Sequence, residues 1–304
     1  MQWQASGGQL RPMLTRIMNI LCRVFLLSVL GISLGSCSSN KHKKEADSPK
    51  TVANTNYRTP TVKGPVPRNP DIDLPANFGP DAPLVLARGS RALPYVAMTF
   101  DDGPHPQNTP RLLDMLRARN IKATFYMIGR SVDMYPQIVR RVVAEGHEVG
   151  NHSYSHRLLS KLSDDELLRD LSQTRDAIGR AAGVQPRTMR PPYGSLLQRQ
   201  RELVHSQLGY PTVSWSVDPL DWKRPGPSVV TSRILAGAGN GAVVLSHDLH
   251  APTVEAMPAT LDGLLRRGYK FVTVSQMIAL STSAAPAAPR VAAGPAAETA
   301  MARP

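Results

Sequence analysis

The chain has 304 residues, of which 41% are hydrophobic, with two cysteines and a formal net charge of +13 at pH 7. This length and composition exclude a small disulfide-held domain and a wholly disordered chain, and they suffice for one substantial core with appended segments. Nucleic-acid binding has little support because no aromatic residues are interleaved with the basic ones. The positive charge suits an anionic cell wall or membrane face, and a merely solvated basic surface explains it equally well.

The N-terminal residues resemble an export signal. Three arginines precede the apolar stretch Val24 to Leu34, which is too short to span a bilayer comfortably. Residues 34–37 then read Leu-Gly-Ser-Cys, which resembles a bacterial lipobox. We therefore expect residues 1–36 to be a lipoprotein-type signal peptide and Cys37 to carry lipid, with a plain signal peptide or an uncleaved anchor as alternatives. The protein is expected to be exported to the cell envelope, on the periplasmic face of an inner or outer membrane.

Two other segments are predicted not to fold. Residues 37–92 are rich in Pro, Lys, Asn and Thr, which is typical of a flexible tether. Residues 282–304 form an Ala/Pro-rich tail that we expect to be disordered. Residues 93–281 remain as a single folded domain, which we expect to be a monomer.

Apolar runs within this domain alternate with stretches of helical pattern. Two predicted helices have clear ends: one runs from Thr109 to Arg119, with Thr109 as N-cap and Pro110 first in the helix, and one runs from Asp164 to Ala182 and ends at Gly183. The alternation predicts an α/β fold with a mostly parallel sheet, and seven candidate strands suggest a barrel. These strands are Tyr95 to Phe100, Ala123 to Ile128, Glu148 to Asn151, Arg187 to Arg190, Pro211 to Val217, Ala242 to Ser246 and Lys270 to Thr273.

Two short motifs indicate a metal site. The first contains Asp101 and Asp102 before Gly-Pro, and the second contains His152 and His156. Each has an ordinary interpretation, since Asp-Asp-Gly-Pro is common turn chemistry and paired histidines are often merely exposed. Two histidines four residues apart fall on one face of a helical turn, and a carboxylate would complete a three-ligand set with an open position for water. Together the motifs therefore predict hydrolysis at a metal.

Three further motifs follow along the chain. They are the residues from Arg190 to Gly194 (Arg-Pro-Pro-Tyr-Gly), those from Asp218 to Trp222 (Asp-Pro-Leu-Asp-Trp) and the segment 243–248 (Val-Val-Leu-Ser-His-Asp). The first places a charge beside two prolines that fix the backbone and an aromatic ring that could line a pocket.

In this order the five motifs resemble those of the polysaccharide deacetylases of carbohydrate esterase family four, the group built on the NodB homology domain. The resemblance covers roughly residues 93–281, with no departure at a catalytic position. It implies a distorted seven-stranded (β/α) barrel, in agreement with the strand count. The implied activity is the metal-dependent removal of acetyl groups from a polysaccharide.

The resemblance also implies a role for each motif residue. Asp101 would be the general base, Asp221 would pair with the general acid His247, and Arg190 would orient Asp101. The implied ligands of a divalent metal, most often zinc with cobalt or nickel as alternatives, are Asp102, His152 and His156. The implied substrate contacts are the backbone N–H of Tyr193 and the side chains of Trp222 and Leu245. Spacing alone leaves open which of Asp101 and Asp102 is base and which is ligand, since neighbouring strand residues point apart.

The expected function is therefore deacetylation of N-acetylglucosamine units in an extracytoplasmic polymer, with peptidoglycan favoured. Chitin-like polymers, poly-N-acetylglucosamine and O-acetylated xylan remain alternatives, as does a non-catalytic glycan-binding lipoprotein. Four residues near the motifs receive no catalytic role, because such residues are more often solvated or structural. They are His105, His147, Asp218 and His250.

Overall fold

A ring of short parallel strands surrounded by helices forms the centre of the protein, in a computed structural model that describes residues 74, 78 and 82–283. The strands are β1 (Val85–Leu86), β2 (Tyr95–Asp101), β3 (Thr124–Met127), β4 (Glu148–Asn151), β5 (Thr212–Val213), β6 (Ala242–Val244) and β7 (Lys270–Phe271). The helices are α1 (Asn108–Arg117), α2 (Gly129–Met134), α3 (Pro136–Ala144), α4 (Asp164–Ala182), α5 (Gln198–Leu208), α6 (Pro227–Gly237), α7 (Ala251–Arg266) and α8 (Val274–Ser283). No helix within these residues is long and apolar enough to cross a membrane.

Strand pairing confirms the predicted parallel α/β architecture. Hydrogen-bonded neighbours run in the order β4, β3, β2, β6, with β7 also pairing with β2 and with β1 pairing with β5, and every strand pair is parallel. Single-residue bridges through Met189 join β4 to β5, and a bridge from Val217 to Val244 joins the chain after β5 to β6. The ring therefore closes, and the carboxyl ends of its strands meet at one edge, where barrel enzymes place their active sites.

The two faces of β2 separate the packing core from the interior of the ring. Val96, Met98 and Phe100 belong to the large cluster packed under the helices, whereas Ala97 belongs to a second cluster. Because side chains alternate along a strand, Asp101 lies on the same face as Ala97. The period of the strand thus places a carboxylate at the inner, carboxyl end of the ring.

Five of the seven predicted strands are shorter in the structure, and two of them are reduced most. The segment Arg187 to Arg190 contributes only the bridges at Met189, and the segment Pro211 to Val217 forms only the two residues of β5 before the bridge at Val217. Proline has no N–H to donate, so Pro186 and Pro191 confine ladder pairing to the residues between them. The described residues therefore have no strand at 187–190, and β1 brings the number of strands among them to seven.

Strand β1 lies inside the segment that was predicted to be a tether. Leu86 is only 5% exposed and pairs with Val213, while Val85 is 39% exposed and pairs with Thr212. Residues 82–92 are therefore not a tether as expected, because β5 offers an unpaired edge that β1 covers. Helix α8 runs to Ser283, so the tail predicted from residue 282 begins two residues too early. The signal peptide and the rest of the tail fall outside the described residues and stay predictions.

The two helices with predicted ends have different outcomes. Helix α4 is confirmed, with Ser163 and Glu166 forming a capping box and Gly183 ending it in the left-handed conformation, at φ 70°. Helix α1 begins one residue before Thr109, so the predicted cap is wrong. The Thr109 hydroxyl is used instead to accept a hydrogen bond from the His105 N–H and to donate one to Asp248.

We expect Leu86→Ala to lower the free energy of unfolding by about 2–5 kcal/mol, because it deletes a buried side chain from the core. The matched variant Val85→Ala removes a partly exposed side chain from the neighbouring position and should cost less than about 1 kcal/mol. Urea unfolding measures both. Equally small losses would show that β1 does not belong to the folded domain.

Candidate active site

The five motifs meet at the carboxyl edge of the ring. Asp101 ends β2, and the loops after β4 and β6 bring His152 and His247 beside it. Arg190 follows the bridge at Met189, and Asp221 begins a single 3₁₀ turn, Asp221–Lys223. Residues up to 146 positions apart in the sequence, such as Asp101 and His247, are thus brought into one site.

Asp102, His152 and His156 form a cluster suited to a metal ion. The Asp102 Oδ1 atom lies 3.3 Å from His152 Nε2 and 3.0 Å from His156 Nε2. In the part of the chain that the structure describes, this buried oxygen has no hydrogen-bond partner, and the three ligand atoms lie within 4.8 Å of one another. Two imidazole nitrogens and a carboxylate oxygen converging on one point fit a divalent metal such as zinc.

The second nitrogen of each imidazole fixes the orientation of its ring. His152 Nδ1 lies 2.7 Å from the Arg190 carbonyl oxygen, and His156 Nδ1 lies 3.2 Å from the Tyr193 hydroxyl. A carbonyl can only accept, so His152 donates from Nδ1 and keeps the lone pair of Nε2 free for a metal. Burial alone would raise the pKa of Asp102, but the two histidines lower it well below its usual range.

The helical turn expected for the two histidines is wrong. They lie in a loop after β4, with positive φ at Ser153 (66°) and His156 (60°). The N–H groups of Ser153 and Tyr154 donate to side-chain oxygens of Asn151 (3.0 Å) and Asp170 (2.7 Å), which hold the chain in this irregular path. Side-chain hydrogen bonds to the backbone thus replace helical ones, yet the rings still meet, with centroids 5.1 Å apart.

Asp101 is paired with a fully buried arginine. Arg190 Nη1 donates to Asp101 Oδ1 over 2.7 Å and to the Thr99 hydroxyl over 2.6 Å, while Nη2 donates to the Ser214 carbonyl over 3.0 Å. The guanidinium also lies over the Tyr126 ring, 4.4 Å from its centroid. The other Asp101 oxygen, Oδ2, lies 3.9 Å from His152 Nε2 and so faces the metal cluster.

Asp221 and His247 form a second pair. Asp221 Oδ1 lies 2.9 Å from His247 Nδ1, and Oδ2 accepts from the His247 N–H over 2.8 Å and the Thr253 hydroxyl over 2.9 Å. Burial alone would lower the pKa of His247, but the Asp221 carboxylate, with smaller contributions from the charges of Asp101 and Asp102, raises it to about 9. His247 is therefore protonated at neutral pH, which suits a group that must give up a proton.

The predicted substrate contacts surround these pairs. Tyr193 is 69% exposed and has φ 61°, and its ring packs edge-on against His156 with centroids 4.8 Å apart. Trp222 directly follows Asp221, is 49% exposed and has the Lys223 ammonium 4.9 Å from its ring centroid. Leu245 is buried two residues before His247. Aromatic surface therefore lies beside both the metal cluster and the Asp221–His247 pair.

The four residues without a predicted catalytic role have structural surroundings. His105 accepts the N–H groups at the start of α1, and Asp218 accepts the Leu220 N–H over 2.7 Å. His147 accepts the Ala123 N–H over 3.1 Å, and its burial lowers its pKa to about 3. His250 is partly buried, which lowers its pKa, and its ring centroid lies 6.0 Å from that of His247.

Sequence reasoning missed several residues that support the site. Thr99 and Tyr126 contact Arg190, and Thr253 contacts Asp221. Thr99 could have been found because it shares the inner face of β2 with Asp101. Asp248 directly follows His247, is fully buried and has its pKa raised to about 7 by that burial.

Comparisons with known proteins identify relatives of this chain. The family model described as polysaccharide deacetylase matches residues 89–213. A peptidoglycan-N-acetylglucosamine deacetylase of Listeria monocytogenes, PgdA, is 43% identical over 182 residues, which are 60% of this chain and 38% of that protein. This chain therefore spans well under half the length of that relative. A peptidoglycan-N-acetylglucosamine deacetylase of Bacillus cereus is 38% identical over 190 residues, covering 61% of this chain and 69% of the relative.

Solved structures of polysaccharide deacetylases are also similar to this chain. A peptidoglycan N-acetylglucosamine deacetylase in complex with an N-hydroxybenzamide compound is 36% identical with a TM-score of 0.62, covering 64% of this chain and 92% of that one. A pseudoenzyme of carbohydrate esterase family four from Bacillus anthracis is 31% identical with a TM-score of 0.62, covering 65% and 69%. The fold alone therefore does not guarantee turnover. Identity and coverage together show that the chain belongs to the polysaccharide deacetylases of carbohydrate esterase family four.

Proposed function

We propose that this protein is a metal-dependent hydrolase that removes N-acetyl groups from N-acetylglucosamine residues of an extracytoplasmic polysaccharide, with peptidoglycan as its substrate. The observation that carries the proposal is one cluster, Asp102, His152 and His156, with the Asp101–Arg190 and Asp221–His247 pairs beside it. The names of its relatives support peptidoglycan as the polymer.

The chemistry requires an activated water, a polarised carbonyl and a proton for the departing nitrogen, because an amide is a poor electrophile with a poor leaving group. Asp102, His152 and His156 would hold a divalent ion, which is zinc in our assignment, with cobalt or nickel as alternatives. The ion would activate the water by lowering its pKa and would polarise the carbonyl as a Lewis acid. The remaining tasks fall to the protein's own side chains.

Asp101 acts as the general base in this proposal. Its Oδ2 faces the metal cluster, where it can accept a proton from the attacking water. Arg190 holds the other oxygen, Oδ1, by donating a hydrogen bond of 2.7 Å from Nη1. The same guanidinium fixes the direction of the carboxylate, so the base is oriented before the substrate arrives.

His247 acts as the general acid. Asp221 binds Nδ1, so Nε2 is the nitrogen that delivers a proton to the leaving amine. The backbone N–H of Tyr193 would hold the developing oxyanion, while Trp222 and Leu245 would contact the sugar and its acetyl methyl. A positioned acid and a positioned base each contribute about 10²- to 10⁴-fold to such reactions.

We also propose that the protein is exported and anchored by lipid at Cys37. The support lies in the sequence, where an apolar stretch of signal-peptide length leads into the lipobox-like residues 34–37. These residues lie outside the described part of the structure. A tether of this kind would keep a deacetylase close to the envelope polymer.

Acetate release by the full chain is the test of the proposed reaction. N-acetylglucosamine oligomers, intact peptidoglycan and acetylated xylan are offered side by side, with and without a chelator. We expect release from peptidoglycan that the chelator abolishes and zinc restores. Preference for xylan would make the enzyme an esterase, and preference for the oligomers would favour a chitin-like polymer.

Asp101→Asn should reduce acetate release by at least about 10²-fold, because it removes the base, while zinc and glycan binding persist. The variant is compared with Asp114→Asn, which removes an exposed carboxylate on α1 that pairs with Arg117 and Arg141. Equal activity of wild type and Asp101→Asn would refute the assignment. Binding without release in the wild type would favour a glycan-binding protein like the pseudoenzyme.

The pH profile tests the acid. We expect kcat/KM to fall as the pH rises through about 9, where His247 loses its proton. Asp221→Asn removes the group that contributes most to raising this pKa, so the alkaline limb should move to lower pH. Asp218→Asn, in the same loop, should leave it in place. The ion pair also stabilises the fold below the usual pKa of 6.5, and this contribution is lost as the pH rises through about 9. An unmoved limb in Asp221→Asn contradicts the pairing.

Lipid attachment is tested by labelling cells with a fatty-acid analogue. The wild type should incorporate the label and fractionate with membranes, whereas Cys37→Ser should do neither because the acceptor sulfur is gone. Cys22→Ser is the matched control and should behave as wild type. Labelling that persists in Cys37→Ser would rule out this anchor.

A further inference from the structure

Two neighbouring loops carry the two halves of the site. The loop after β2 begins with the candidate ligand Asp102, and the loop after β6 carries the candidate acid His247. They lie side by side because β2 and β6 pair in parallel, and the pairing continues as a bridge from Asp101 to His247. Asp248 is the residue of the second loop that reaches the first.

Asp248 is bound to the start of α1 by a directional contact. Its Oδ2 accepts from the Thr109 hydroxyl, and that hydroxyl accepts from the His105 N–H over 2.8 Å, so its proton is committed to Asp248. A second contact runs alongside, in which Asn108 Nδ2 donates to the Leu249 carbonyl over 3.0 Å. These contacts join α1 to the loop that bears the acid.

The carboxyl of Asp248 also packs against the residue that follows Asp102. A Cβ atom placed on Gly103 would lie 2.7 Å from both Asp248 carboxylate oxygens, so the backbone there has no room for a side chain. Asp248 is fully buried, and its Oδ1 has no hydrogen-bond partner among the described residues. A buried carboxyl with an unpaired oxygen is costly in a core, which argues for a positional role.

The conformation of Asp102 requires such support. Its φ is 73°, a left-handed conformation that a residue with a side chain adopts only when its surroundings impose it. The Gly103 carbonyl accepts from the Ile128 N–H over 3.0 Å on one side, and the Asp248 carboxyl blocks movement on the other. The loop is thereby held between β3 and the loop after β6.

We propose that Asp248, through Thr109 and its packing on Gly103, is a positioning residue that keeps Asp102 in its metal-binding conformation. The inference rests on the metal site of the proposed function. Asp248 would link the loop that carries His247 to the loop that carries Asp102, although Asp248 itself is neither a proposed metal ligand nor a proposed catalytic residue.

The test measures the zinc dissociation constant of the full chain by competition with a chromophoric chelator. Thr109→Val and Asp248→Ala should each weaken zinc binding by about 10- to 100-fold, the range typical of residues that orient metal ligands. Thr109→Ser and Asp248→Asn keep a donor and an acceptor in place, so both should stay within about threefold of wild type. Rescue by these conservative variants separates positioning from general loss of packing.

Thr260→Val is the matched control. Thr260 is a fully buried threonine in α7 whose hydroxyl donates to the Ala256 carbonyl over 2.8 Å. The Thr260→Val variant should be less stable than the wild type but should bind zinc with the same affinity. Should Asp248→Ala fail to fold, the comparison of Thr109→Val with Thr109→Ser decides.

Unchanged zinc affinity in folded Thr109→Val and Asp248→Ala would overturn the inference. A wild type that binds no zinc would overturn it together with the metal-dependent function. A wild type that binds zinc but releases no acetate from any polymer would contradict only the function, and weakened affinity in the two variants would still support the positioning role of Asp248.

Discussion

The buried charge of Arg190 is the constraint on which the rest of the site depends. Its guanidinium is fully buried and therefore needs partners, which it finds in Thr99 and Asp101 on β2 and in the carbonyls of Val213 and Ser214. Its own backbone carbonyl binds His152 Nδ1. Arg190 thus orients both the candidate base and a candidate metal ligand. It also binds the chain where the ring is closed by single-residue bridges instead of longer strand pairs.

Unusual backbone conformations concentrate around this centre. Asp102, Ser153, His156, Tyr193, Leu220 and Arg224 all have positive φ without being glycine. Such conformations cost roughly 1–3 kcal/mol each and persist only where the surroundings impose them. Here the regular strands and the side-chain hydrogen bonds of Asn151, Asp170 and Asp218 impose them. The rigid ring therefore supports an irregular edge, and the chemistry is proposed at that edge.

Regular elements were predictable where local signals agree with packing. Helix α4 has its capping box and its terminal glycine in the sequence, and β2 has a mostly apolar run before Asp101. Strand β1 was missed because two residues carry no period and their pairing depends on distant β5. The loop of His152 and His156 was misread because partners such as Asp170 are invisible to spacing. Spacing also left Asp101 and Asp102 interchangeable, whereas in the structure Asp101 pairs with Arg190 and Asp102 Oδ1 lies near His152 and His156.

Asp221 binds other parts of the chain in addition to the His247 ring. One carboxylate binds the backbone and ring of His247 at the start of a loop and the Thr253 hydroxyl in the first turn of α7. The chain around Asp221 is in turn bound to α6, whose Arg233 donates to the Pro219 carbonyl, and Thr231 of α6 donates to the Ala256 carbonyl of α7. His247, its carboxylate partner and both helices thus form one mechanical unit. A displacement of either helix would therefore move His247 and Asp221 together and leave the hydrogen bonds between them intact.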